Sequence, residues 1–227
     1  MLDRLGDVNR RIAAAVHRAG RRAGDIELVG VTKTVGVDMV AEFLKCGQVQ
    51  VGENRVQEML GKKAELEAMG FYPRWHMIGR LQTNKVKDVV GKVVLIHSLD
   101  SERLALEISR QSEGFCQGVL LQVNIGEEAS KGGVDPREAL DFARMVHDTP
   151  NIGLRGLMAV PPAVEDKEES RYFFRKMHQL FIDIRASIDD NRINTLSMGM
   201  SDDFEVAIEE GSTMIRLGSI IFGERNQ

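Results

Sequence analysis

Residues 28–53 read Leu28-Val-Gly-Val-Thr-Lys-Thr-Val-Gly-Val-Asp-Met-Val-Ala-Glu-Phe-Leu-Lys-Cys-Gly-Gln-Val-Gln-Val-Gly-Glu53. A β-branched run at 28–33 is followed by helical spacing over 38–46, a glycine, and a second β-branched run at 49–53. Strands that are apolar on both faces and separated by a helix indicate a parallel sheet covered by helices. The same unit recurs outward from here. Further β-branched runs fall at 74–79, 93–98, 119–125, 153–160, 193–199 and 213–222, with helical stretches at 55–69, 84–90, 102–113, 136–147 and 202–210. Phe173, Met177, Leu180, Phe181, Ile184 and Ile188 mark one more helix by their i, i+3, i+4 spacing. Successive strands begin roughly 26 residues apart, about one compact strand-plus-helix unit.

Punctuation agrees with this division. Ser101 and Ser201 precede helices as N-caps, and Gly20, Gly47, Gly70, Gly114 and Gly211 follow them. Leu2, Leu5, Ile12, Ala15, Val16 and Ala19 lie mostly on one stripe of an opening helix. Eight units fit a single closed (β/α)8 TIM barrel domain over residues 1–227, with the first twenty residues as an extra N-terminal helix. A doubly wound open sheet is the alternative at this level.

Composition bounds the function. The chain has 227 residues, 43% of them hydrophobic and 28% charged, which is ordinary for a globular protein. Its two cysteines, Cys46 and Cys116, make no disulfide framework, and the expected compartment is a reducing cytoplasm. No run approaches the roughly 20 apolar residues of a membrane span, and no signal peptide is read at the N-terminus. With 30 Lys and Arg against 34 Asp and Glu, the net charge of −4 counts against nucleic acid as a partner. Arg80, Lys85, Lys87 and Lys92 form the densest basic run, spaced as one solvated helix face.

In a parallel barrel the chemistry belongs at the carboxyl ends of the strands. Lys33 ends the first run. There it is either a solvated ammonium or, desolvated against apolar walls, a nucleophile able to form a Schiff base with an aldehyde. Asn54 and His76 are polar groups in or beside buried strands, and His76 alone is as well explained by core hydrogen bonding. Glu53 and Arg80 are candidates for a structural ion pair at the rim. After the last two strands come Ser197-Met-Gly-Met-Ser201 and Arg216-Leu-Gly-Ser219, two Gly/Ser loops of the kind that hold phosphate with backbone N–H groups. Asp202 and Asp203 put negative charge in the same turn, where they also serve the helix dipole. The sequence has no Walker, dinucleotide or nucleophile-elbow motif, and its histidines lack metal-ligand spacing.

Together the segments Val31-Thr-Lys-Thr34, Gly52-Glu-Asn-Arg-Val-Gln-Glu58, Trp75-His-Met-Ile-Gly-Arg-Leu-Gln-Thr-Asn-Lys85, Gly156-Leu-Met158, Leu196-Ser-Met-Gly-Met-Ser201 and Ile215-Arg-Leu-Gly-Ser-Ile-Ile-Phe-Gly223 resemble the pyridoxal phosphate homeostasis protein family over nearly the whole chain. That resemblance implies a barrel like the alanine racemase N-terminal domain, binding pyridoxal 5′-phosphate (PLP). By position, Lys33 resembles the Schiff-base lysine. Met200, Ser201, Gly218 and Ser219 resemble the phosphate cradle, Arg216 the arginine facing the pyridine nitrogen, and Asn54, His76 and Met198 pocket residues around the ring. Lys131 matches a further loop lysine. Val35 departs from the pattern, because many relatives carry a second lysine there.

The implied activity is PLP homeostasis, as a carrier or buffer that affects amino and keto acid balance, without robust catalysis. A cation at the ring nitrogen disfavours the protonated ring that makes PLP a strong electron sink. A racemase-like enzyme is the alternative, and a cofactor-free scaffold is a third reading. Racemases of this fold use a tyrosine from a further β domain or subunit, for which this length leaves no room, and neither Tyr72 nor Tyr172 is placed to replace it. Expected partners are PLP and apo forms of PLP enzymes, and the expected state is a monomer.

Overall fold

The computed structural model describes residues 1–128, 132–162, 164 and 166–223. Its strands are β1 (Glu27–Val31), β2 (Gln50–Glu53), β3 (Arg74–Met77), β4 (Leu95–Leu99), β5 (Gln117–Val123), β6 (Ile152–Ala159), β7 (Thr195–Ser197) and β8 (Met214–Leu217). They pair in chain order, all parallel, and β8 pairs back onto β1. This closure removes the open-sheet alternative, in which strand order reverses. The helices are α1 (Leu2–Arg18), α2 (Val37–Lys45), α3 (Val56–Ala68), α4 (Val86–Val89), α5 (Glu102–Gln111), α6 (Ala139–Asp148), α7 (Ser170–Ile188), α8 (Phe204–Glu209) and α9 (Ser219–Phe222).

Each long helix buries one stripe. In α1 the buried residues are Leu5, Val8, Ile12, Ala15 and Val16, at helical spacing. These stripes and the outward faces of the strands make one large apolar cluster. Inside the barrel lies a second, smaller cluster of Val29, Leu95, Leu120, Met158 and Met214. His76, His97, Ser197 and Arg216 are buried in the same interior, so the barrel's filling is only partly apolar.

Gly156 is needed for a specific distortion. Leu154 pairs with Val119 but Gly156 with Leu120, which leaves Arg155 as the extra residue of a bulge. Gly156 then takes φ 146°, and a Cβ on it would lie 1.8 Å from the Thr195 carbonyl oxygen.

Several local expectations are corrected. The apolar run at 213–222 is not one strand: β8 stops at Leu217, Gly218 turns the chain, and Ser219–Phe222 coils as α9. Helix α8 begins at Phe204 behind Asp203, so Ser201 does not cap it. Ser101 occupies the N-cap position of α5 without a side-chain capping bond. The basic run at 80–92 makes a 3₁₀ turn at Thr83–Lys85 and the single turn of α4, not one continuous helical face.

Candidate functional site

Lys33 lies two residues past the end of β1, at the carboxyl mouth of the barrel. A buried ammonium fixes the chain on both sides of it. Lys62 on α3 donates to the Thr32 carbonyl at 2.5 Å, to Glu53 at 2.6 Å and to Glu58 at 2.7 Å. The Thr32 hydroxyl donates to the same Glu53 oxygen at 2.7 Å, and the Thr34 N–H donates to Glu58 at 2.6 Å. Thr34 takes φ 63°, a left-handed turn conformation uncommon for a non-glycine residue. Burial raises the Glu53 pKa against the pull of Lys62 and Thr32. Glu53 is therefore paired with Lys62 and not with Arg80, which is exposed on the rim.

The loops leaving β7 and β8 converge beside β1. Ser201 Oγ accepts the Gly218 N–H at 3.3 Å, which ties the two Gly/Ser loops together. Gly218 lies over the end of β1: a Cβ on it would be 3.5 Å from Val31. Among the described residues, the N–H groups of Ser201, Ser219 and Ile220 have no backbone acceptor. Asp203, whose acidic group was the objection to an anion here, turns one oxygen inward and accepts the Met200 N–H at 2.7 Å. Burial also raises its pKa. The geometry is that of an anion cradle next to Lys33, and a phosphate fits its donor set.

Below this mouth a chain of hydrogen bonds crosses the barrel. Arg216 donates to Ser197 Oγ at 2.6 Å and to the Ala159 carbonyl at 3.0 Å. Ser197 Oγ lies 3.2 Å from His97 Nδ1, His97 Nε2 is 2.9 Å from His76 Nδ1, and His76 Nε2 is 2.8 Å from Gln50 Oε1. Gln50 Nε2 donates to Glu27 at 2.8 Å. The two ends assign every proton between them. A guanidinium only donates and a carboxylate only accepts, so Ser197 donates to His97, His97 to His76, and His76 to Gln50. Both imidazoles are neutral with hydrogen on Nε2. Burial acts in the same direction, lowering His76 to about 3 and His97 well below its usual value. Arg216 is lowered to about 10 by burial, which leaves it a cation at neutral pH.

The site residues read from sequence thus fall into different settings. Lys33, Ser201, Gly218 and Ser219 gather at one side of the mouth, and Arg216 and His76 belong to the buried chain beneath it. Asn54 follows β2 and is half-buried on the other side of Lys33. Met198 is fully buried in the large apolar cluster, and Met200 lines a shallow hollow with Pro161, Pro162 and Asp202. Lys131 lies outside the described residues. Tyr72 is 77% exposed in the loop before β3, at the amino end, and Tyr172 is 62% exposed on the outer helix layer. Sequence reasoning missed Lys62, Gln50, His97 and Ser197. A single histidine at an inward position in each of two neighbouring buried strands was the available signal for His97.

Comparison with known proteins follows the same lines. The family model for the alanine racemase N-terminal domain matches residues 9–226. The chain is 46% identical to the pyridoxal phosphate homeostasis protein of Aquifex aeolicus over 98% of this chain and 97% of that one. It is 38% identical to the protein of the same name from Escherichia coli K12, over 98% and 95%. The structure of PipY from Synechococcus elongatus PCC7942 with PLP bound superposes with a TM-score of 0.82 at 31% identity, covering 95% of this chain and all of that one. An alanine racemase of Clostridium difficile 630 shares the fold at a TM-score of 0.75 and 18% identity, with 58% of its length covered. The match of the family model to residues 9–226, and identities of 46% and 38% to these homeostasis proteins over nearly the full length of both chains, place the closed barrel in the pyridoxal phosphate homeostasis protein family.

Proposed function

We propose that this protein binds PLP at the barrel mouth and acts in PLP homeostasis as a carrier or buffer of the cofactor, without robust turnover. The observation that carries this reading is the junction of the Ser201 and Gly218 loops beside the end of β1, two residues before Lys33, where N–H groups without a backbone acceptor suit a phosphate. Its relatives are named for this role, and PipY has been seen with PLP bound. The Lys33 amine would condense with the cofactor's aldehyde and release water. Ser201, Gly218 and Ser219 would hold the phosphate, Arg216 would face the ring nitrogen, and Asn54, Met198 and Met200 would shape the surrounding wall. His76 would act through His97 and Ser197.

PLP supplies an electron sink when its ring nitrogen is protonated. Arg216 opposes that state, because its own hydrogen bonds to Ser197 and Ala159 leave it a fixed, permanently charged donor. Carbanion chemistry is then weakly supported, and holding the cofactor is the role the residues serve best. Cytoplasmic location, monomeric state and delivery to apo forms of PLP enzymes complete the reading.

The test is direct. PLP added to the purified protein should give a yellow complex, and borohydride should fix a pyridoxyl mass on the peptide containing Lys33. Lys33→Ala should abolish the adduct. A colourless wild-type protein, or an unchanged adduct in the variant, rejects the assignment, and racemisation of amino acids at enzyme-like rates rejects the non-catalytic part.

A further inference from the structure

Nine arginines on the outside of this protein are neutralised. Arg10, Arg11, Arg18, Arg110, Arg137, Arg144, Arg171, Arg175 and Arg192 each pair with a carboxylate. One cleft gathers several cations without such partners. Beyond Asn54, on the β2–β4 side of the mouth, a cleft of about 680 Å³ is lined by Arg55, Arg80, Lys85 and Arg103, with Asp100 as the one carboxylate in its lining. Among the described residues, Arg80, Lys85 and Arg103 form no ion pair, and the electrostatic neighbour of Arg55 is Glu58.

The backbone is built to bring these groups together. Gly79 packs directly on the Asn54–Arg55 turn, where a Cβ would lie 2.2 Å from the Asn54 carbonyl oxygen. The Ile78 N–H donates to the Glu53 carbonyl at 2.9 Å, which extends the β2–β3 pairing into both loops. Arg55 and Arg80 therefore leave adjacent, mutually packed turns, while Arg103 comes from the first turn of α5. Four cations facing one cavity, in a protein of net charge −4, repel one another and concentrate a positive potential. Concave sites of about 300–1,000 Å³ suit small molecules better than flat protein surfaces do.

We infer that this cleft is a second anion site, distinct from the phosphate cradle, for a small molecule with at least two anionic groups. One anionic group engages a single guanidinium bidentately, which would leave the other cations uncompensated. The ligand is a phosphorylated or polycarboxylate metabolite; the shared chemistry is two or more clustered anionic oxygens.

The experiment uses PLP-loaded protein, so that the cradle is filled, and titrates inorganic pyrophosphate in one arm and citrate in the other. Amide chemical shifts are followed by NMR. Saturable shifts are expected at Gly79, Asn84 and Arg103 in at least one arm, and the responding arm identifies the phosphate or the carboxylate source. Affinity should weaken at least tenfold in Arg80→Gln/Arg103→Gln, which alters only exposed side chains, and should be unchanged in Arg144→Gln. No saturable shift up to about 10 mM, well beyond the 1 mM that corresponds to about −4 kcal/mol, overturns the proposal. So do shifts confined to Ser201 and Gly218, or an affinity that the double variant leaves intact. The same titration on Lys33→Ala reads the cleft without PLP, so failure of the cofactor assignment and failure of this site are separable.

Discussion

Arg216 shows how one side chain sets the character of the barrel interior. It is 5% exposed, and a buried guanidinium persists only where its donors are used. Ser197 and Ala159 accept two of them, and Ser197 passes the polarity on through His97, His76 and Gln50 to Glu27. Each member is both acceptor and donor, so removing one orphans two neighbours. Ser197→Ala should cost about 1–3 kcal/mol, the usual penalty for buried groups left unpaired, and the denaturant midpoint measures it. A loss below about 0.5 kcal/mol, the range of an ordinary surface substitution, would mean the chain is not continuous. The histidines also impose a pH dependence. Both are held neutral in the folded protein, while in the unfolded chain they take up protons below about pH 6.5. Unfolding then binds protons, so stability falls as pH drops from about 6.5 towards 3, by up to about 1.4 kcal/mol per pH unit for each histidine. Thermal melts across pH 7 to 4.5 should show this decline. It should flatten in His76→Gln/His97→Gln, and a melting temperature independent of pH in the wild type would refute neutral burial.

The β2–α3 unit does the corresponding work for Lys33. Lys62 is 7% exposed and Glu53 fully buried, so their pairing is an internal ion pair whose cost is recovered only while it is complete. Lys62→Met should destabilise the protein by about 3–5 kcal/mol and also lower the yield of borohydride-fixed pyridoxyl on Lys33, because Thr32 and Thr34 lose their anchor. Adding Glu53→Gln should restore part of the stability, since the uncompensated carboxylate is then gone. If the single variant is as stable as wild type, the pair does not hold the turn. This unit also marks the limits of reading the sequence. Strand and helix alternation was legible because local period encodes it, and the position of Lys33 and the two Gly/Ser loops at strand ends was legible because it follows from the strand boundaries. Partners across the barrel were not: His97 and Ser197 are 100 residues apart in sequence, and no local pattern announces their bond. Residues 213–222 were misread because a short apolar run fits a buried strand and a buried helix turn alike, and Gly218, which divides them, is a turn only in its three-dimensional setting.

The whole molecule depends on closing one seam, and helix α1 lies on it. β1 and β8 join the two ends of the sheet, and α1 packs on α8 and α9 outside that junction. Arg11 pairs with Glu205 at 2.8 Å and stacks 4.7 Å from the Phe204 ring, and Arg18 pairs with Glu209 at 2.6 Å. Arg21 donates to the carbonyls of Ile208 and Ser212, and Phe43 of α2 meets Phe222 of α9 with ring centroids 5.3 Å apart. The exposed ion pairs add little; the apolar stripe decides. Leu5, Val8, Ile12 and Val16 at about 1.5–3 kcal/mol each approach the 5–15 kcal/mol that a domain has in total. A barrel cannot lose one seam and keep the rest, because each strand needs both neighbours. Val8, fully buried, is the sensitive position, and Leu2, 71% exposed on the same helix, is the control. Val8→Asp should melt far below wild type, and far-ultraviolet circular dichroism and the fluorescence of Trp75 in distant β3 should report a single shared transition. Leu2→Asp should leave both signals unmoved. If Val8→Asp instead loses helix signal first while the Trp75 transition stays at its wild-type temperature, α1 is an independent attachment and not part of the cooperative barrel.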